Sequence, residues 1–464
     1  MPPLRQGRAR AAAAARPSPY RGGWLSRRCR SSGADTAEYD ANGTSLTDDA
    51  LAATFTRLPN AADVVRCAAT CRRWASVVAK EANALSRALP LLPGRALGFF
   101  HKEQDAAAVA TTRKRKRRAI IVDYSTPPCF VPTAFGSRLL GYNLPSASAL
   151  PLGVQTDALG LLDLSLSRPV ASRNGRLVLE LQSEEHVNDG KLNLCVCNPM
   201  TGDVAVLPPL SGKDRPRMYA CTLLTDADID QPPPSANFFR VLIVYNRDRF
   251  TAFRSYSSDT GSWSMEAKKT PGPKLTNWDL GKLGHGIVLH AVAYWPLRRT
   301  TLAVSSTPRV LDTPQPTQVR MPLDGIISTI QQFRLLGVTP ERKLCFIDAA
   351  NSSGYVGLAS MVFETTGDDM CGGAGEWVRK GGIGQLRRQF KIKSADASKL
   401  RWFCEKSCTL LFTLGKGSSP WTFALNLGTK KIEKLTTGVD CNWWRNFVGY
   451  EMDAAAYLMS IARR

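Results

Sequence analysis

One short unit recurs along the C-terminal part of this 464-residue chain, and nothing else in the sequence restricts the fold as much. It reads as strand, tight turn, strand. Copies run over residues 197–210 with the turn at Thr201-Gly202, 256–265 with Thr260-Gly261, 363–378 with Thr366-Gly367, and 424–435 with Gly428-Thr429. The first two turns lie 59 residues apart and the second and third 106 apart, close to twice a unit in the fifties. A weaker hairpin at residues 310–319 fits the gap, and another at 142–152 precedes the first clear copy. At each turn the glycine supplies the positive φ that a tight hairpin needs. Such a unit cannot bury its apolar faces alone, whereas a ring of units can. The expectation is an all-β domain over residues 119–464, built as a β-propeller of about six blades. The other solution is a pair of packed antiparallel sheets without a ring.

Strand-like runs support the β reading at residues 120–122, 177–179, 192–196, 241–245, 287–294, 344–347, 410–414 and 421–427, each bounded by turn-forming residues. Residues 95–100 begin a further strand. Residues 46–84 have a different period. Thr47 is placed to cap a helix with Asp48 and Asp49 in its first turn. Leu51, Phe55 and Leu58 share one face. Pro59 then stops the helix, because the residue before a proline avoids the helical region. Asn60 caps a second helix with Asp63 in its first turn and an apolar stripe of Val64, Ala68 and Cys71. Arg72, Arg73 and Trp74 follow, with Val77 and Val78 one turn on. Three helices this small carry no catalytic constellation. They form either a docking module with an exposed apolar face or an ordinary helical hairpin of a larger core, and periodicity by itself favours the second.

The order of residues in this segment resembles the F-box motif. That pattern runs Leu-Pro-x-Asp, a hydrophobic pair, Leu-Pro, an apolar helix, then Cys-basic-basic-Trp. The chain offers Leu46, Asp49, Thr54-Phe55, Leu58-Pro59, Val64-Val65 and Cys71-Arg72-Arg73-Trp74. Thr47 stands where proline is usual, and Thr54 replaces an aliphatic residue. The match covers under a tenth of the chain. It implies that Leu46, Leu51, Phe55, Leu58, Pro59, Val64 and Trp74 dock on the Skp-type adaptor of a cullin-based ubiquitin ligase. The stretches NGRLVLEL, LCVCNPMTGDVAVLPP, SYSSDTGSWSM and GIVLHAVAYWPL resemble the kelch-like F-box-associated repeats of plant F-box proteins. The two resemblances imply an α+β multidomain chain: a three-helix F-box module over 46–84, a linker over 85–118, and the β-rich domain over 119–464. They imply a non-catalytic substrate receptor of a Skp–cullin–F-box ligase. It recruits a target protein through the β domain, with no cofactor, and works in the nucleus, the cytoplasm or both.

The net charge of +22 lies largely in two blocks. Residues 1–45 are rich in arginine, and their first acidic residue is Asp35. This extension is either a transit peptide to an organelle or a disordered basic tail, and an F-box directly after it favours the tail. Arg113, Lys114, Arg115, Lys116, Arg117 and Arg118 form either a nuclear-import signal or a solvated loop. The remainder is mildly basic, so no specific nucleic-acid partner is expected, and no apolar run is long enough to cross a membrane.

Twelve thinly spread cysteines suit reduced, buried thiols. Cys195 and Cys197 share a strand face, and Cys404 and Cys408 are spaced for a helix face. Neither pair is a CxxC, so structural roles outweigh zinc binding. His285 and His290 flank the apolar run at 287–294 on opposite sides, which suits strand ends better than a metal. There is no Walker-type loop, HExxH or GxSxG. Loops 226–236 and 275–286 are candidates for a partner-facing rim. The alternative function is a propeller-fold hydrolase or carbohydrate-binding or ligand-binding protein with a helical cap, working in an organelle. A third reading is a basic nucleic-acid binder.

Overall fold

The computed structural model describes residues 46–59, 61–88, 96–101, 128–140, 148–149, 167–181, 191–211, 216, 218–228, 238–268, 274–277, 280, 283, 286–297, 300–305, 315–320, 334–339, 342–352, 355–365, 375–383, 398–414, 421–436 and 447–461. The described residues begin with four short helices: α1 (Asp48–Thr56), α2 (Ala61–Ala68), α3 (Arg72–Lys80) and α4 (Ala82–Ala88). Thr47 caps α1 as expected, its Oγ1 accepting from the Ala50 N–H at 3.3 Å. Two details differ from the sequence reading. There are four helices, the last running past residue 84. Cys71 is exposed, because it caps α3 through its sulfur instead of extending the apolar stripe of α2.

The rest is mostly antiparallel sheet. The first sheet holds β1 (Ala96–His101), β2 (Cys129–Pro132) and β3 (Ser148–Ala149), with helix α5 (Ala134–Leu140) after β2. The second holds β4 (Arg168–Arg173), β5 (Arg176–Leu181), β6 (Asn193–Cys197) and β7 (Val204–Val206). The third holds β8 (Tyr219–Thr225), β9 (Phe239–Asn246), β10 (Thr251–Ser257), β11 (Ser262–Trp263) and β12 (Ala267–Lys268). The fourth holds β13 (Ile287–Leu289), β14 (Val292–Pro296), β15 (Thr300–Ser305) and β16 (Gln315–Arg320). The fifth holds β17 (Arg334–Val338), β18 (Leu344–Ser352), β19 (Tyr355–Thr365) and β20 (Gly375–Ile383). The sixth holds β21 (Ser398–Cys404), β22 (Thr409–Leu414), β23 (Trp421–Asn426) and β24 (Ile432–Thr436). The last strand, β25 (Phe447–Glu451), returns to pair with β1, so the first sheet runs β25-β1-β2-β3, and helix α6 (Ala454–Ser460) follows it.

The four clear hairpins fall on the outer pair of one sheet each: β6–β7, β10–β11, β19–β20 and β23–β24. Of the two weaker ones only residues 148–149 and 315–319 are described; they are β3 and the body of β16, and they pair with β2 and β15, which lie before the expected ranges. Alternate side chains of a strand point to opposite faces, and the cores follow that rule. Val241, Ile243 and Tyr245 of β9 join a core shared with the second sheet, while Leu242 and Val244 join one shared with the fourth. Further cores lie between the fourth and fifth sheets, the fifth and sixth, and the sixth and first. The sixth core lies between the first and second sheets and includes the helices. One edge strand of each sheet touches the next in the cyclic order β25, β4, β8, β13, β17, β21 and back to β25.

Several expectations are corrected. The stretch 85–118 is not all linker, because β1 sits inside the first sheet, bonded to β2 and β25. The run 287–294 is two strands, since His290 (φ 48°) and Ala291 (φ 56°) turn the chain between β13 and β14. Cys408 lies in the β21–β22 turn with φ 50°, so Cys404 and Cys408 share no helix. Gly202 and Gly261 have positive φ at their turns, as expected, but in the β23–β24 turn Lys430 (φ 57°) takes that conformation instead of Gly428. The extension 1–45, the basic run 113–118, the run 120–122, Asn60 and the Thr366-Gly367 turn lie outside the described residues.

Candidate functional site

Two places gather functional side chains: the helices at residues 46–88, and the ends of the edge strands that face one another.

At the helices, Arg73 ties α3 to the start of α1. Its Nε donates to Asp48 Oδ1 at 3.1 Å, and Nη2 donates to the Leu46 carbonyl. The Trp74 ring meets Phe55 edge-on at 5.5 Å, a favourable arrangement of aromatic quadrupoles. The seven residues expected to dock a partner divide by burial. Leu51, Phe55 and Val64 are buried in the chain's own core with Val77, Val78 and Leu85, so they hold the helices together. Leu58 and Trp74 are half-buried against that core, Pro59 is exposed, and Leu46 is 59% exposed. Of the seven, Leu46, Leu58, Pro59 and Trp74 therefore keep exposed surface. The buried side chains of the cluster share one core with the first two sheets and α6.

The second place is built on the β4–β5 turn. Asn174 (φ 47°) and Gly175 (φ 76°) make the Asn-Gly hairpin turn that matches strand twist. The turn aims Arg173 at three sheets. Its Nε donates to Asp228 Oδ2 at 2.8 Å, and Nη2 donates to Asp228 Oδ1 at 2.6 Å and to the Val288 carbonyl at 3.0 Å. Nη1 also pairs with Glu405. Asn174 N–H donates to Glu451 Oε1 at 3.0 Å, and Lys406 Nζ donates to Asn174 Oδ1. Asp228 also accepts from Thr225 N–H at 2.8 Å. Burial opposes the Arg173 charge, but Asp228 and Glu405 outweigh it and hold the proton more tightly. Burial also pushes the Glu405 carboxyl up despite Arg173. Burial pushes Glu451 the same way, yet Lys406 and Arg173 prevail and hold it below the usual range.

Beside this cluster lies a cavity of about 30 Å³ lined by residues including Ser172, Ile287, Leu336 and Trp402, room for about two waters. Ser172 donates its hydroxyl to the Gly449 carbonyl, and Cys404 donates its thiol to Glu451 at 3.2 Å. Burial pushes that thiol well up, and Cys195 up to about 12, so both stay protonated at neutral pH. The arrangement joins turns from different sheets.

Nothing in the sequence pattern singled out Arg173, Glu405 or Glu451, and Asp228 entered only as part of the candidate rim loop 226–236. The one local signal was the Asn174-Gly175 pair. Of the two candidate rim loops, 275–286 is anchored inward, with Leu275, Leu280 and Leu283 buried between the third and fourth sheets. The described part of 226–236 is a single 3-10 turn ending at buried Asp228. Among the described residues no group of His, Cys, Asp and Glu is placed to hold a metal ion, and no helix is long and apolar enough to cross a membrane.

A family model for a domain of unknown function, DUF7595, matches residues 148–221. No curated protein matches the chain. Among solved structures, TolB from Acinetobacter baumannii is similar at 9% identity and a TM-score of 0.38, over 79% of this chain and 70% of that one. The Dos1 propeller is similar at 8% identity and a TM-score of 0.27, over 59% and 60%. A post-proline cleaving enzyme from Rickettsia typhi is similar at 10% identity and a TM-score of 0.29, over 85% and 59%.

Proposed function

We propose that the chain is the substrate-receptor subunit of a Skp–cullin–F-box ubiquitin ligase. The helices at residues 46–88 are its F-box module, and the six sheets are a six-bladed β-propeller that holds a target protein. One observation carries the reading. Of the seven positions where the F-box order puts its docking residues, Leu46, Leu58, Pro59 and Trp74 keep exposed surface while the other three hold the helices together. The propeller is supported by the cyclic order of cores and by the return of β25 to the first sheet. In this reading the chain supplies no chemistry. It brings a target beside an enzyme held by the cullin, and the gain is one of proximity. The receptor works in the nucleus, the cytoplasm or both.

The test is binding of the full chain to a purified Skp-type adaptor, beside the Leu58→Ala, Pro59→Ala double variant. Burying one such apolar side chain is worth about 1.5–3 kcal/mol before ordering costs. The double variant is therefore expected to bind at least about tenfold more weakly. Equal binding by the two proteins rejects the assignment.

A further inference from the structure

We infer that helix α6 is a latch that fixes the helical cluster to the sheets, so that the two move as one body. The argument starts at the root of the helix. β25 ends at Glu451, whose carbonyl accepts from the Gly175 N–H at 3.0 Å, and the Tyr450 hydroxyl donates to the Gly175 carbonyl at 2.8 Å. A Cβ at residue 175 would strike Asp453 at its Cβ and its backbone nitrogen, so the turn of the second sheet sits directly on the start of α6. Asp453 then accepts from the Ala455 N–H at 3.0 Å, opening the helix at that point. The helix leaves the sheets in a fixed direction.

Ala454, Tyr457 and Leu458 of α6 and Ile461 just after it are all buried. Positions i, i+3, i+4 and i+7 lie on one helical face. That face lies in the same core as Val77 and Val78 of α3 and Ala82 and Leu85 of α4. The segment 447–461 thus closes the first sheet at one end and covers the helical cluster at the other. If the helices are the docking module proposed above, the latch sets the orientation of a docked partner relative to the ring. The inference itself does not depend on that reading, and its test uses no partner.

The test is amide hydrogen exchange on the full chain, on Tyr457→Ala with Leu458→Ala, and on a chain ended after Asp453. The expected result in both altered proteins is a fall of about tenfold or more in the protection of α3 and α4, with β9 and β22 unchanged. Unchanged α3 and α4 would overturn the inference, because the sheets alone would then hold the helices. An equal fall in β9 and β22 in the point variant would also overturn it, because α6 would then belong to one indivisible fold. The adaptor assay is independent: loss of the latch with adaptor binding kept, or the reverse, separates the two proposals.

Discussion

His101 ends β1 with its side chain buried and neither ring nitrogen hydrogen-bonded among the described residues. Burial lowers its pKa from 6.5 to about 4. A depressed histidine pKa means the unfolded chain binds the proton first. The group therefore adds no pH-dependent cost well above pH 6.5 and subtracts stability as pH falls towards 4, by up to about 3 kcal/mol. Urea midpoints between pH 4 and 7.5 should fall less steeply in His101→Leu than in the parent, and identical slopes would reject the account. Arg173 presents the opposite case, a buried charge that is fully matched. Removing it as Arg173→Met leaves Asp228 and Glu405 buried beside an apolar stem. Breaking a buried pair from one side costs about 3–5 kcal/mol. Chemical denaturation should show that loss near neutral pH, and a change below about 1 kcal/mol would mean the cluster is hydrated in solution.

At the scale of the element, turns decide how much could be read in advance. Thr201-Gly202 and Thr260-Gly261 were legible because glycine sits where φ is positive. The β13–β14 turn was not, because His290 and Ala291 adopt left-handed angles inside an apolar run that carries no turn residue. The β23–β24 turn was placed correctly, but its strained residue is Lys430, one beyond the Gly428-Thr429 pair. This yields a three-way prediction. Lys430→Gly should stabilise by up to about 1 kcal/mol, since a left-handed angle burdens any residue with a Cβ. Gly428→Ala should be nearly neutral, because its new Cβ meets only Asn426 Oδ1 at an ordinary 3.4 Å. Gly261→Ala, at φ 63°, should cost about 1 kcal/mol although open space surrounds it. Thermal midpoints of the three variants would rank them, and any other order would mean that turn strain is relieved elsewhere. The charged cluster lay beyond any such local reading. Arg173 stands 55 residues from Asp228 and 232 from Glu405, and only the return of the chain around the sheets brings them together. Leu51, Phe55 and Val64 were likewise legible as apolar helix positions. That they face the chain's own core follows from the packing of α1 and α2 on α3 and α4, inside a core completed by sheets and by α6 some 400 residues later.

For the whole molecule, the question is whether the six sheets stand as a stack with two ends or as a closed circle. In an open stack each sheet answers only to its neighbours, and losing a terminal strand frays the nearest sheet. In a circle the same loss removes a contact that every sheet depends on. The cyclic order of cores and the pairing of β25 with β1 argue for the circle. Gly449 at the middle of β25 adds a reason why the seam is tight: a Cβ there would overlap the Trp402 ring of the sixth sheet, so the strand packs with no side chain between. A chain ended after residue 446 loses β25 and α6 together, whereas one ended after Asp453 loses α6 alone. If the circle is closed, the longer deletion should abolish protection not only in β1 but also in β14 of the fourth sheet, on the far side. Unfolding of the parent, followed by near-ultraviolet and far-ultraviolet circular dichroism, should then give a single coincident transition. The shorter deletion should leave β14 protected. Persistent protection of β14 in the longer deletion would mean an open stack. The proposed target-binding domain would then be a curved surface with two free ends rather than a ring.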